Sequence, residues 1–197
     1  MSVAICGAAS SIAERFVKIV MDKHPNESVV TGRVEAIPTN HDRYLICTGY
    51  LAGKALFNQT REELISSFEL NYALVAGKCE MIFNANPLAR ICVLGSHSGI
   101  EGSFDMAYAG AKAAIHLYVE RKVLGSPQQM LVALAPHIVW DSAMTQRRND
   151  LEALAARGAK TRLGRWINSE EVARMAFDVL YRWPTCCSGQ VIRMRAE

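Results

Sequence analysis

Tyr108 and Lys112 carry the first chemical signal of this chain: a phenol and an ammonium four residues apart, in Tyr108-Ala109-Gly110-Ala111-Lys112. On a helix that spacing sets both groups on one face, about one turn from each other. A nearby positive charge favours phenolate and lowers the phenol's pKa. Such a tyrosine is expected to exchange a proton with a carbonyl or alcohol oxygen near neutral pH. Upstream, Ile91-Cys92-Val93-Leu94-Gly95-Ser96-His97-Ser98-Gly99 is an apolar run that ends in small polar residues. It reads as a buried strand delivering Ser96 to its carboxyl end, where ligands collect in open parallel sheets. Ser96, Tyr108 and Lys112 are therefore expected around one substrate oxygen.

Positioning these groups takes an alternation of strands and helices. Strand-like runs occupy residues 3–6, 28–31, 44–47, 91–94, 130–135 and 190–194, and helix-like patterns occupy 11–21, 106–121 and 169–180, with a long helix within 62–83. This alternation predicts an α/β fold with a doubly wound parallel sheet flanked by helices, in a single domain spanning 1–197. Ser169 is the expected cap of the last helix, with Glu170 and Glu171 at its positive end. Residues 34–43 are too few for both a helix and a strand, so the second crossover is expected to be shortened, with 34–37 as a stub strand.

Composition narrows the function classes. Half of the 197 residues are hydrophobic and 21% are charged, as in an ordinary soluble domain. The net charge of +3 is scattered and no basic-aromatic stripe stands out, which argues against nucleic acid. No apolar run reaches membrane-spanning length, and Met1 to Ile5 lacks the charged start and apolar core of a secretion signal. The six Cys show no Cys-x-x-Cys spacing, and the five His are dispersed, so no metal site is expected. A reducing cytoplasm fits this cysteine usage.

Ser96 after one strand and Tyr108-x-x-x-Lys112 on the next helix resemble the signature of the short-chain dehydrogenase/reductase family. The resemblance implies a Rossmann-like fold and an NAD(P)-dependent oxidoreductase that moves a hydride between nicotinamide and a small carbonyl or alcohol substrate. It makes Tyr108 the general acid/base, Lys112 its pKa-lowering partner and a ligand of the nicotinamide ribose, and Ser96 the group that orients the substrate oxygen. Asn71, in Ser66-Ser67-Phe68-Glu69-Leu70-Asn71-Tyr72, resembles the family Asn that sits at a helix distortion and anchors a relay water. Cys6-Gly7-Ala8-Ala9-Ser10-Ser11-Ile12-Ala13 stands at the family's glycine-rich phosphate turn, with Ser11 and Ala13 in place of two glycines. Gly7, Ser10, Ser11 and Ile12 are thereby cofactor-binding candidates, the Ser11 hydroxyl being available to bond phosphate.

The same resemblance adds Gly49, from Cys47-Thr48-Gly49 in the place of Asn-Ala-Gly, and Ile138, from Ala135-Pro136-His137-Ile138, where the family has Pro-Gly. Arg33 follows the second strand where a basic residue favours NADP(H) over NAD(H) through the adenosine 2′-phosphate. His137 replaces a glycine beside the nicotinamide pocket, and residues 146–162 are expected to form a lid with Leu151, Leu154 and Ala155 on one apolar face. Homodimers or homotetramers are implied, paired through the helix after Asn71 and the Tyr-bearing helix, where Ala109, Ala111, Ala113 and Ala114 would allow close packing. The rival expectation is a catalytically silent protein on the same scaffold, consistent with the altered glycine turn. Sugar epimerases share the Tyr/Lys pair but need a substrate domain for which this chain has no room.

Overall fold

Six strands form one all-parallel sheet in a computed structural model that describes residues 2–196; Met1 and Glu197, the ends of the expected domain, lie outside the described residues. The strands are β1 (Ser2–Cys6), β2 (Ser28–Gly32), β3 (Arg43–Ile46), β4 (Arg90–Leu94), β5 (Met130–Pro136) and β6 (Val191–Met194), in the order β2-β1-β3-β4-β5-β6. The seven residues of β5 are all buried, which explains its unbroken apolar sequence in the middle of the sheet. At the edge, β2 is exposed or half-buried along its length.

The helices α1 (Ser11–Lys23) and α8 (Ser169–Tyr181) cover one face. There Val3 and Ile5 of β1 meet Ile12, Phe16 and Val20 of α1 and Val172, Ala176 and Leu180 of α8. The alternate residues Ala4 and Cys6 point to the other face, as strand geometry requires, and pack with Val75, Cys79 and Ile82 of α3 (Leu74–Ala85) and Ile115 and Val119 of α5 (Met106–Arg121). Ala109 and Ala111 are buried within the protomer, whereas Ala113 is exposed. Among the described residues no helix is long and apolar enough to cross a membrane, and no group of His, Cys, Asp and Glu is arranged to hold a metal.

The expected long helix is split in two. α2 (Arg61–Phe68) runs into a wide π-turn over Glu69–Ala73 before α3 begins, and Asn71 lies in that turn. Thr60 and Glu63 form a capping box that fixes where α2 starts. The last helix also starts differently from expectation: Asn168, not Ser169, is the cap, paired reciprocally with Glu171. In the lid region, α6 (Ala143–Gln146) and α7 (Leu151–Gly158) are joined by a short link. Leu154 is fully buried there, but Ala155 is exposed, so the lid's apolar face is narrower than expected. Its anchor is Trp166, whose indole donates to the Leu154 carbonyl at 2.8 Å and packs against Gly158.

The second crossover is shortened, and no stub strand forms. Residues 34–36 are a turn closed by Ala36 and Ile37 N–H groups donating to the Arg33 carbonyl at 3.0 and 3.2 Å. The reason is topological. After β2 the chain must pass over β1 to reach β3, so residues 33–42 cover the sheet face, where Val34 and Ile37 are 2% exposed, rather than pair with its edge. The order of winding reverses between the parallel neighbours β1 and β3, and this is the switch point at which doubly wound sheets open a crevice. Gly7, at φ +79°, lines it: an added Cβ would come within 2.9 Å of the Cys47 carbonyl carbon and oxygen. Gly7→Ala is therefore expected to lower stability by about 1–3 kcal/mol through left-handed strain and backbone collision, measurable as a shifted midpoint in urea unfolding.

Candidate active site

Asp105 sets the angle at which Tyr108 enters the crevice. It is the fully buried N-cap of α5, and its carboxylate accepts the Tyr108 N–H at 3.0 Å, the Gly53 N–H at 3.0 Å and the Gln59 side-chain amide at 2.8 Å. One carboxylate thus ties the start of α5 to the loop after β3. Nothing in the sequence reading used Asp105, although an acid three residues before a helical position is a recognisable cap signal.

Ser96 follows β4 and is 8% exposed, as is Tyr108. The Ser96 hydroxyl accepts the Ser98 N–H at 3.2 Å, and the Ser96 N–H donates to Nε2 of His116 at 3.3 Å. His116 lies one turn beyond Lys112 on α5 and was also missed, though its i,i+4 spacing places it on the same face. Burial, then the Lys112 charge, holds His116 down at about 4. It is a neutral ring that accepts a hydrogen bond and fixes the Ser96 backbone. An added Cβ on Gly95 would come within 2.2 Å of His116 Nε2, so glycine before Ser96 makes room for that contact.

Lys112 is 3% exposed and donates to the Leu94 carbonyl at 2.7 Å, with its Nζ 5.8 Å from the Tyr108 ring centre. This departs from the expected electrostatics. Burial raises the Tyr108 pKa above its ordinary value, the Ser96 hydroxyl opposes the rise, and Asp105 adds to it; the lysine does not offset them. The ammonium's hydrogen bond runs to a carbonyl rather than to the phenol. Burial instead acts on Lys112 itself, drawing it down to about 8.

Asn71 is 1% exposed and spends its amide on clamping backbone. Nδ2 donates to the carbonyls of Tyr50 at 2.7 Å and Ser67 at 2.8 Å, and Oδ1 accepts the Tyr50 N–H at 3.1 Å. Gly49 sits beside it: an added Cβ would lie 3.0 Å from Asn71 Oδ1 and 3.6 Å from Lys112 Nζ. Asn71, Gly49 and Lys112 are thus brought together at the ends of β3 and β4.

The remaining sequence candidates lie along the strand ends. Gly7 turns out of β1, and the Ser10 hydroxyl caps α1 by accepting the Ile12 N–H at 3.3 Å. Ser11 departs from expectation. Its hydroxyl lies 2.6 Å from that of Ser169, which donates its own proton to Asp141 at 2.8 Å. A hydroxyl has one proton, so Ser11 must be the donor to Ser169 and has none left for a phosphate. Its part in an anion site reduces to its place in the first turn of α1. Arg33 is exposed at the end of β2, and Ile138 is half-buried beyond β5. His137 turns inward: its ring lies 4.7 Å from that of His97 and 5.3 Å from that of Trp166. His97 is 4% exposed, with Nε2 3.0 Å from Glu101, which also pairs with Arg195.

No protein-family model matches the chain, and no curated protein matches it in sequence. Solved structures match its fold closely. An oxidoreductase of the short-chain dehydrogenase/reductase family from Burkholderia thailandensis superposes with a TM-score of 0.81 at 15% identity, over 99% of this chain and 91% of that one. A 3-oxoacyl-[acyl-carrier protein] reductase from Brucella melitensis gives 0.80 at 17% identity, over 98% and 89%. An actinorhodin polyketide ketoreductase with NADPH gives 0.78 at 15%, over 98% and 95%. This chain has the short-chain dehydrogenase/reductase fold.

The burial of Lys112 has a measurable consequence. With a folded value of about 8 against an ordinary 10.5, the unfolded chain binds more protons between those values, so this group's contribution to stability rises with pH across that window. Its full cost, about 3 kcal/mol, applies below pH 8. Removing the charge with Lys112→Met is expected to stabilise the protein relative to wild type at pH 7, with the difference shrinking towards pH 10, in urea titrations of both proteins.

Proposed function

We propose that the chain is an NADP-preferring oxidoreductase that reduces a carbonyl, or oxidises the matching alcohol, on a small-molecule substrate. The observation that carries this reading is the convergence of Ser96, Tyr108, Lys112 and Asn71 at the switch-point crevice. The residues fit a dinucleotide on two counts. Gly7 and Gly49 keep backbone free of side chains where a Cβ would collide, and the first turn of α1 directs main-chain N–H groups and a positive helix end at the same place. Gly7, Ser10, Ser11 and Ile12 would hold the pyrophosphate, Gly49 and Ile138 would flank the nucleoside and nicotinamide, and Arg33 would meet the 2′-phosphate. When bound, the nicotinamide supplies the hydride.

The chain's own residues handle the proton and the oxygen. Tyr108 gives its phenolic proton to the substrate oxygen during reduction and takes it back during oxidation. Its raised pKa keeps the phenol protonated at neutral pH, the form that reduction requires, while making it a weaker acid than a phenol in water. Ser96 orients the same oxygen and offsets its growing charge. Lys112, protonated below about 8, would bond the nicotinamide ribose, with its Nζ 5.8 Å from the phenol ring centre. Asn71 fixes the loop after β3 against the π-turn and so fixes the crevice wall. The lid carried by α7 and Trp166 would enclose the substrate and exclude water.

Tyr108→Phe removes the proton donor but keeps the ring. It is expected to lower kcat/KM for NADPH-dependent reduction across a carbonyl panel by about 10²-fold or more, read as NADPH absorbance loss. A variant as active as wild type would remove Tyr108 from the chemistry. Arg33→Ala is expected to weaken NADPH by about tenfold while changing NADH less than about twofold, by fluorescence titration; equal losses would refute the phosphate role.

A further inference from the structure

A second buried lysine lies outside the catalytic group. Lys78 on α3 is 6% exposed, and its Nζ donates to the main-chain carbonyl of Glu35 at 3.2 Å. Among the described residues it makes no other hydrogen bond and no ion pair. An ammonium has three donors, so two remain without a partner among the described residues of the chain. Holding one carbonyl does not account for it. A glutamine would do that without burying a charge, and an uncompensated buried charge is strongly unfavourable.

Its position supplies the reason. Glu35 lies in the turn that follows Arg33, the same turn in which the Arg33 carbonyl accepts from Ala36 and Ile37. The Gly7 N–H donates to the Gly32 carbonyl at 3.2 Å, so this turn abuts the turn after β1. The charge of Lys78 also reaches Cys6, the last residue of β1, whose thiol it draws down against burial. The ammonium therefore sits under the shortened crossover, at the carboxyl ends of β1 and β2.

We propose that Lys78 is a second cation of the adenosine end of the crevice. It acts with Arg33 to favour a nucleotide that carries a 2′-phosphate: Arg33 from the exposed side, Lys78 from beneath the turn through a charge that no ion pair engages. This rests on the dinucleotide reading of the crevice, and deepens it by naming a selectivity residue that the turn after β2 does not itself contain.

The test is calorimetric titration of the full chain with NADPH, NADH and adenosine 2′,5′-bisphosphate, for wild type, Lys78→Met and Lys78→Gln. Both variants are expected to bind NADPH and the bisphosphate about tenfold more weakly and NADH less than twofold more weakly. The glutamine variant keeps a donor for Glu35, so it separates charge from bond and reports even where the methionine variant does not fold. A glutamine variant with wild-type discrimination, or one that loses both dinucleotides equally, overturns the assignment while leaving the dinucleotide reading intact. A wild type that binds the two dinucleotides equally well also overturns the assignment. A wild type that binds none of the three probes removes both.

Discussion

Two ammonium groups are buried at the carboxyl ends of the strands, and each is held by a main-chain carbonyl rather than by an ion pair. Lys112 donates to Leu94 and Lys78 to Glu35. Uncompensated burial of this kind is among the most costly things a fold can contain, and here it occurs on both sides of one crevice. The first turn of α1 adds its own positive end between them. The one acid buried among these elements, Asp105, is already occupied by the N–H groups of Tyr108, Gly53 and Gln59. Two ammonium groups and a positive helix end at these strand ends are the electrostatic basis of the proposed nucleotide site.

The sheet explains why these charges lie where they do. With the order β2-β1-β3-β4-β5-β6, two strands stand on one side of the switch point among the described residues, and no further strand of these pairs with β2. A longer crossover would bring a helix to cover β1 and β2. Residues 33–42 do that work with Val34, Ile37 and the stem and head of Lys78 beneath them. The shortened connection thus has both a packing solution and an electrostatic one, and the lysine belongs to both. On the other side of the switch point the lysine role is cleaner. Lys112 is framed by Gly49, Asn71 and the end of β4, with His116 kept neutral one turn further along α5.

Where local pattern dictates the answer, the sequence was sufficient. All six strands are visible as apolar runs between polar punctuation, and the β4–Ser96 junction, the Tyr108 face and the helix distortion at Asn71 follow from spacing or resemblance. Some misses were local, such as the Asn168 and Asp105 caps, but those that change the chemistry are of long range. Ser11 is bound to Ser169, which is 158 residues away in the chain, and no local pattern can reveal that its proton is already used. The phenol's shift depends on burial and on Asp105, whereas four-residue spacing to Lys112 suggested the opposite sign. Spacing places an ammonium near a ring, but it does not say which acceptor the ammonium finds first, and here that is a strand-end carbonyl. Val34 and Ile37 look like a strand because they are apolar. They are apolar because they cap a sheet face, a role that single-sequence periodicity does not distinguish from pairing.

These failures bear directly on the rival reading of a silent scaffold. Its support is the altered phosphate turn, the loss of Asn-Ala-Gly at Cys47-Thr48-Gly49 and the shortened crossover, and the Ser11 result sharpens the first, since a serine in place of glycine brings no phosphate donor. Yet the same hydrogen-bond chain from Ser11 through Ser169 to Asp141 fixes the start of α1 against the start of α8, so the helix end is held rigid without the close packing that glycine would allow. A scaffold relieved of ligand binding would have no reason to hold that end in place. Nor would it have reason to bury the Lys112 ammonium, since burial lowers its pKa and an apolar residue of similar length would stabilise the empty fold. That cost is the physical argument for the proposed anion. The proximity of Ser96 and Tyr108 to the same crevice is the argument that the anion is a cofactor.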